Sequence, residues 1–268
     1  MRKISVFCLK GGVGKTTTAV NIAAGLARKG KKVLLMDLDS QGSISHCLES
    51  EYPTKDMFHL IANGAELEEC ITHMGKDLDL VPSNDSLNDV DEALGNRANK
   101  DYILSLKMEK NNSYDYAILD CPPNFGTMTR NALIYSDEVF VPISTDVLGY
   151  KVLMKTIEKI EKFNEDVGDE KVAISRIIPT FYDKRLKVSR EILNRMQGDF
   201  YGIVSGSIMA NSKLKEAPKK KCSIFSYAKS SQGAKDYGEL VMDIIHNEKA
   251  SKTERVLEKV QTVEVMNS

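Results

Sequence analysis

Short apolar runs alternate with amphipathic stretches along most of the chain. Ile4–Leu9 reads as a buried strand, and Thr16–Arg28 as a helix with Ala19, Ile22, Ala23 and Leu26 on one face and Gly30 as its stop. Val33–Leu38 is the next strand. Leu78–Val81 follows and ends at Pro82. Tyr116–Asp120 ends at Cys121-Pro122-Pro123, and Glu138–Ile143 precedes a helical pattern over Lys151–Phe163. Val172–Ile178 is a strand that Pro179 is expected to stop, and Val188–Met196 and Gly233–His246 have helical spacing. Continuous apolar strands alternating with helices predict an α/β fold: a mostly parallel twisted sheet with helices on both faces. One domain is expected over residues 1–247, with a polar tail or loose helix over 248–268.

The punctuation between the first strand and the first helix is the most informative stretch. Lys10-Gly11-Gly12-Val13-Gly14-Lys15-Thr16-Thr17 leaves a strand and opens a helix. Backbone N–H groups and a helix N-terminus in that setting point at phosphate oxygens. Glycines permit positive φ and close backbone approach. Lys15 is spaced to reach β- and γ-phosphates, and the Thr16 hydroxyl to ligate Mg²⁺. The pattern G-x-x-x-x-G-K-[ST] is met except at Leu9, which stands where its first glycine belongs. A dinucleotide pattern half-fits at Gly12-Val13-Gly14, but Thr17 fills its last position, and such a site has no need of Lys-Thr-Thr.

Two further strand ends carry carboxylates. Asp37 and Asp39 lie at i and i+2, a spacing that puts both side chains on one face if the strand continues through them. Ligands of parallel sheets gather at the carboxyl ends of strands, where an aspartate can hold metal-bound water or orient an attacking water. Asp-Ser-Gln-Gly is equally good turn chemistry. Asp120 ends an apolar strand, as a magnesium-holding aspartate does. Cys121 reads as a packing residue, because no His stands beside it in the sequence.

With Lys10 leading the glycines, the segment Lys10–Thr17 resembles the deviant Walker A motif of the ParA/MinD ATPases. The resemblance extends over nearly the whole chain. Asp37-Leu-Asp-Ser-Gln-Gly42 resembles the family's switch I motif, with Ser40 in place of its proline, and Pro122-Pro123-Asn-Phe-Gly126 resembles switch II. Ser207–Pro218 resembles its Ile-Pro-x-Asn-x-x-Leu-x-Glu-Ala-Pro signature, with Met209 at the proline, and Ser230–Ala234 its Ser-x-Gly-Ala motif. Residues 144–150 depart from the common pattern. The resemblance implies ATP and Mg²⁺ as cofactors. It implies Lys10, Gly11, Gly12, Val13, Gly14, Lys15, Thr16, Thr17 and, near the adenine, Asn211 as nucleotide-binding residues. Thr16, Asp37 and Asp120 would hold the metal, with Lys10, Lys15 and Asp39 as catalytic groups. It further implies a nucleotide-dependent homodimer in which Lys10 reaches the partner's phosphates, a ParB-like centromere-binding partner, and nonspecific double-stranded DNA as ligand. The residues before the phosphate loop leave no room for the helix-turn-helix domain of larger ParA proteins.

Charge changes the picture only when it is located. The whole chain is nearly balanced at −1, which disfavours a basic nucleic-acid binder. Residues 176–235, however, carry thirteen Lys/Arg against four Asp/Glu, a net +9, while 51–115 carry −8. The densest clusters are Lys184, Arg185, Lys187 and Arg190, then Lys213, Lys215, Lys219, Lys220 and Lys221. Such clusters either form a solvated face or neutralise phosphates, and aromatics that would stack on single strands are few there.

No apolar run is long enough to span a bilayer, and the five cysteines lack a C-x-x-C pair, as in a reduced cytosolic protein. The expected setting is cytoplasmic and nucleoid-associated. The competing reading is a MinD-like membrane-associated division regulator. It needs an amphipathic C-terminal anchor, and Lys249–Ser268 contains no aromatic residue and a charge of only +1, so no membrane anchor is expected. An iron–sulfur ATPase resembling the nitrogenase iron protein would need a cluster-ligating cysteine pair, which the sequence does not offer. A nucleotide-binding scaffold without turnover is the last alternative.

Overall fold

A computed structural model describes residues 1–48, 54–111, 113–168 and 171–247. The tail expected over 248–268, including the weak amphipathic stretch from Lys249, lies outside the described residues. Among the described residues, no helix is long and apolar enough to cross a membrane.

Seven strands form one sheet: β1 (Arg2–Val6), β2 (Val33–Asp37), β3 (Thr72–His73), β4 (Leu78–Val81), β5 (Tyr116–Asp120), β6 (Glu138–Ser144) and β7 (Ala173–Thr180). Their spatial order is β3-β4-β2-β5-β1-β6-β7. All neighbours are parallel except the two-residue β3, which runs antiparallel to β4. The central strands β2, β5 and β6 are buried along their whole length, as apolar strands covered on both faces must be.

Two core clusters fill the two faces. One gathers α1 (Lys15–Arg28) and the C-terminal helix Gln232–His246 around Ile4, Ile22, Leu26, Ile118 and Tyr237. The other lies under the long helix Val147–Val167 and the short helices between β2 and β5, with Phe7, Leu34, Leu119 and Leu153 at its centre. Gly25 lets α1 approach the C-terminal helix, since a methyl there would stand 2.6 Å from Val241 Cγ2.

The departures from the expected elements have identifiable causes. β7 does not stop before Pro179 but runs through it to Thr180. Ile177 donates outward to Ile203 O, and Pro179 O accepts outward from Ile208 N–H at 2.7 Å. The Pro179 nitrogen therefore faces the outer edge of the last strand, where a missing N–H leaves no ladder partner unsatisfied. β1 ends at Val6 rather than Leu9. The long helix starts at Val147, before Lys151, because Asp146 caps it: its Oδ1 accepts the Gly149 N–H at 2.7 Å. β2 stops at Asp37, so strand periodicity does not reach Asp39.

Candidate functional site

The parallel register brings three strand ends together. Asp37 pairs across with Asp120, and Val6 also pairs with Asp120. The β1 exit, which becomes the glycine loop, and two aspartates therefore share one carboxyl edge of the sheet.

The glycine loop has the backbone that its composition requires. Gly12 sits at φ +71° and Gly14 at φ +93°, and Gly14 is the N-cap of α1. No side chain caps α1 and no acidic residue occupies its first turn, so its N-terminal N–H groups and positive dipole end are left for an outside anion. A Cβ at Gly11 or Gly12 would meet nothing within 4 Å: there the open side of the loop faces space. Lys15 is only 7% exposed, and its ammonium bends back over the loop to donate to the Lys10 carbonyl at 3.2 Å. Lys10, Thr16 and Thr17 are half-buried, and Val13 is buried.

Two threonines that sequence reasoning did not single out hold this loop. The Thr180 hydroxyl donates to Val13 O at 2.8 Å, and its methyl would stand 3.7 Å from a Cβ on Gly14. Thr156, buried in the long helix, accepts the Leu9 N–H at 3.3 Å and donates to Val152 O. Leu9 is the position at which the common phosphate-loop pattern has glycine. The only cue in the sequence is a polar residue at an inward position of an otherwise apolar helix face.

The two strand-end aspartates differ in what holds them. Asp37 is fully buried and accepts two backbone N–H bonds, from Asp39 at 3.1 Å and from Ile44 at 3.0 Å. Both bonds tie the strand end to the segment that leads into the helix Ser43–Cys47. Asp120 is 1% exposed, and neither of its carboxylate oxygens has a hydrogen-bond partner among the described residues. Burial raises both acids. Asp37 is pushed up to about 7 by desolvation against its two backbone bonds. Asp120 is raised well above the ordinary carboxylate range by burial and then by the charge of Asp37, with Thr16 and Lys15 pulling the other way. A buried carboxylate with two free oxygens beside a hydroxyl offers oxygen ligands to a hard divalent cation. The residues present therefore fit magnesium, with Asp120 better placed to ligate it than Asp37.

Asp39 lies past the strand end, half-buried, and its carboxylate accepts the Gln41 N–H at 3.1 Å. Asn211 caps the helix Ser212–Glu216 by accepting the Lys213 N–H at 2.8 Å. The basic residues leave the β7 end and then part: the Lys184 cluster stays beyond β7, whereas Pro218–Lys220 packs on the helix Ser43–Cys47 that follows β2, and Lys221 lies beside residues 74–78. Tyr182 bridges to Met209, so the clusters starting at Lys184 and Lys213 leave neighbouring points. Arg185 is engaged by Asp183, Lys187 by Glu191 and Lys213 by Glu216, while Arg190 donates to the Lys184 carbonyl at 2.7 Å. Lys184, Lys215, Lys219, Lys220 and Lys221 are exposed.

Comparison with known proteins places this arrangement. A family model described as an AAA domain matches residues 1–172. The chain is 31% identical over 239 residues to the chromosome-partitioning ATPase Soj of Treponema pallidum, covering 88% of this chain and 94% of that one. The chain belongs to the ParA/Soj family of ATPases. Another family member, the sporulation initiation inhibitor protein Soj of Bacillus subtilis, is 30% identical over 253 residues, covering 91% of this chain and 98% of that one. Among solved structures, cobyrinic acid a,c-diamide synthase of Mycobacterium smegmatis with bound ADP and magnesium superposes with a TM-score of 0.80 at 26% identity, covering 96% of this chain and 99% of that one. The ParA/Soj assignment agrees with the resemblance drawn from Lys10–Thr17 and with the parallel sheet that carries it.

Proposed function

We propose that the protein is an ATP-dependent DNA-partitioning ATPase. The observation that carries the nucleotide part is the pairing of an uncapped α1 N-terminus with a buried Asp120 whose carboxylate oxygens lack partners. ATP is the substrate. Its phosphates lie in the loop Gly11–Thr17, with backbone N–H groups and Lys15 neutralising their charge, and Asn211 lies toward the base. Magnesium, when bound, would supply Lewis-acid charge neutralisation to the phosphates; Thr16 and Asp120 would hold it, with Asp37 beside them. Asp39 orients the attacking water toward the γ-phosphorus, and ADP leaves as the new P–O bond forms.

Two protomers close face to face around the nucleotides, and Lys10 reaches the phosphates of the other protomer. Closure brings two basic surfaces together, which raises avidity for nonspecific double-stranded DNA through effective concentration. Lys184, Arg185, Lys187, Arg190, Lys213, Lys215, Lys219, Lys220 and Lys221 are the contact residues in this reading, which sets the protein in the cytoplasm on the nucleoid. A ParB-like partner stimulates hydrolysis, after which the dimer opens and DNA is released.

DNA retention compared without nucleotide, with ADP and with ATP, alongside sizing of the dimer, tests this. Retention and dimer formation with ATP alone are expected. Equal retention in ADP and ATP would remove the switch, and ATP-dependent flotation with liposomes would favour the membrane-associated reading instead.

A further inference from the structure

Ser83, just beyond the end of β4, is a buried hydroxyl that no step above uses. It is 1% exposed, and its Oγ donates to the Asp39 carbonyl at 2.5 Å. The same carbonyl accepts the Gly42 N–H at 2.9 Å, so the Asp39 backbone is held from two sides. The loop also lies flush on the Ser83 peptide: a Cβ on Gly42, which sits at φ +58°, would stand 2.7 Å from Ser83 O.

The segment that presents Ser83 is itself clamped. Pro82 O accepts the Met57 N–H at 2.9 Å. Asn84 donates through Nδ2 to the buried Asp56 at 2.5 Å and accepts the Ser86 N–H through Oδ1 at 2.9 Å. Among the described residues the Asp39 carboxylate, by contrast, bonds only within its own turn, to Gln41 N–H. The direction of that side chain is therefore set by where its backbone is pinned.

We propose that Ser83 is a positioning residue for hydrolysis: by fixing the Asp39 carbonyl it aims the Asp39 carboxylate at the attacking water. This rests on the role given to Asp39 above. Catalytic groups misplaced by about 1 Å lose up to about 100-fold in rate, so a loosened loop is expected to cost turnover and not ground-state binding. Ser83 also lies near Asp37, where it helps draw that buried acid down against desolvation. A role through Asp37 would instead alter the magnesium requirement.

The test compares Ser83→Ala, Ser83→Cys and Asp39→Ala in the full chain. Cysteine fills the space of serine and is a weak donor, which guards against a loss that comes only from packing. In the nucleotide-free protein, hydrogen–deuterium exchange at the Gly42 amide should quicken about ten-fold in both Ser83 variants, with α1 unchanged. Their kcat should fall about ten-fold, with KM for ATP and half-saturating Mg²⁺ within two-fold of wild type. Normal Gly42 exchange, a wild-type kcat in Ser83→Cys, a rise in KM matching the loss in kcat/KM, or a shifted Mg²⁺ requirement would each overturn the proposal. If Asp39→Ala hydrolyses normally while the Ser83 variants are slow, the Asp39 role itself fails and Ser83 acts by another route. If Asp39→Ala is slow while both Ser83 variants are normal, the Asp39 role stands and only Ser83 is excluded.

Discussion

Asp120 costs the nucleotide-free protein free energy. Among the described residues its buried oxygens have no donor, next to a second buried acid, and an unsatisfied buried polar group costs about 1–3 kcal/mol, more if charged. Asp120→Asn removes the charge and should stabilise the nucleotide-free protein by about 1–2 kcal/mol while weakening magnesium-dependent hydrolysis; thermal melts and turnover measure the two effects. Because burial raises Asp37 from 3.8 to about 7 and Asp120 in the same direction, folding favours their protonated forms. That contribution is fully present below the ordinary carboxylate range and is lost as pH rises through about 7. The melting temperature without nucleotide should therefore decline between pH 5 and pH 8 less steeply in Asp120→Asn than in wild type. The loop residues separate by role. Lys15→Ala should abolish nucleotide binding. Lys10→Ala should keep nucleotide and lose the dimer, and Asp39→Ala should hold the ATP-bound dimer on DNA. Nucleotide titration, sizing and DNA retention read these three.

At the scale of elements, the parts that carry chemistry were the most legible. β1, β2 and β5 are apolar runs ending in punctuation, and a parallel sheet needs such runs because helices cover both faces. The glycine loop was readable because only glycine adopts φ +71° and +93° without strain. Between β2 and β5 only the strand Leu78–Val81 was legible, because the helices there, such as Met57–Ala62 and Leu67–Cys70, are too short to show a period. Long-range bonds such as Thr180 to Val13, Thr156 to Leu9 and Ser83 to Asp39 leave no trace in spacing, since the topology alone brings their partners together. The start of the long helix has the tightest tolerance. A methyl at Gly149 would stand 2.1 Å from Ser144 O, so Gly149→Ala must shift backbone, and it should destabilise by about 1–3 kcal/mol in denaturant titrations despite the better helix propensity of alanine.

For the molecule as a whole, the near-zero net charge hides two basic clusters, one beyond β7 from Lys184 to Arg190 and one that runs from Lys213 to Lys221 beside the β3–β4 turn. Arg185, Lys187 and Lys213 have acidic partners, whereas Lys219, Lys220 and Lys221 are exposed on one turn. If these three neutralise phosphates, Lys219→Ala/Lys220→Ala/Lys221→Ala should lower the slope of log affinity against log salt by about 2–3, with ATP turnover in the absence of DNA unchanged. Retention at several salt concentrations measures it.

The strand order also bears on synthesis. β1 and β2 are made before the other strands of the sheet yet do not touch, because β5 lies between them, and the other neighbour of β1 is β6. One edge of β1 waits for residues 116–120 and the other for residues 138–140. The phosphate loop is thus translated before the strands that give it its shape, and a nascent chain that stops before β5 carries the whole glycine motif without the sheet that gives it meaning.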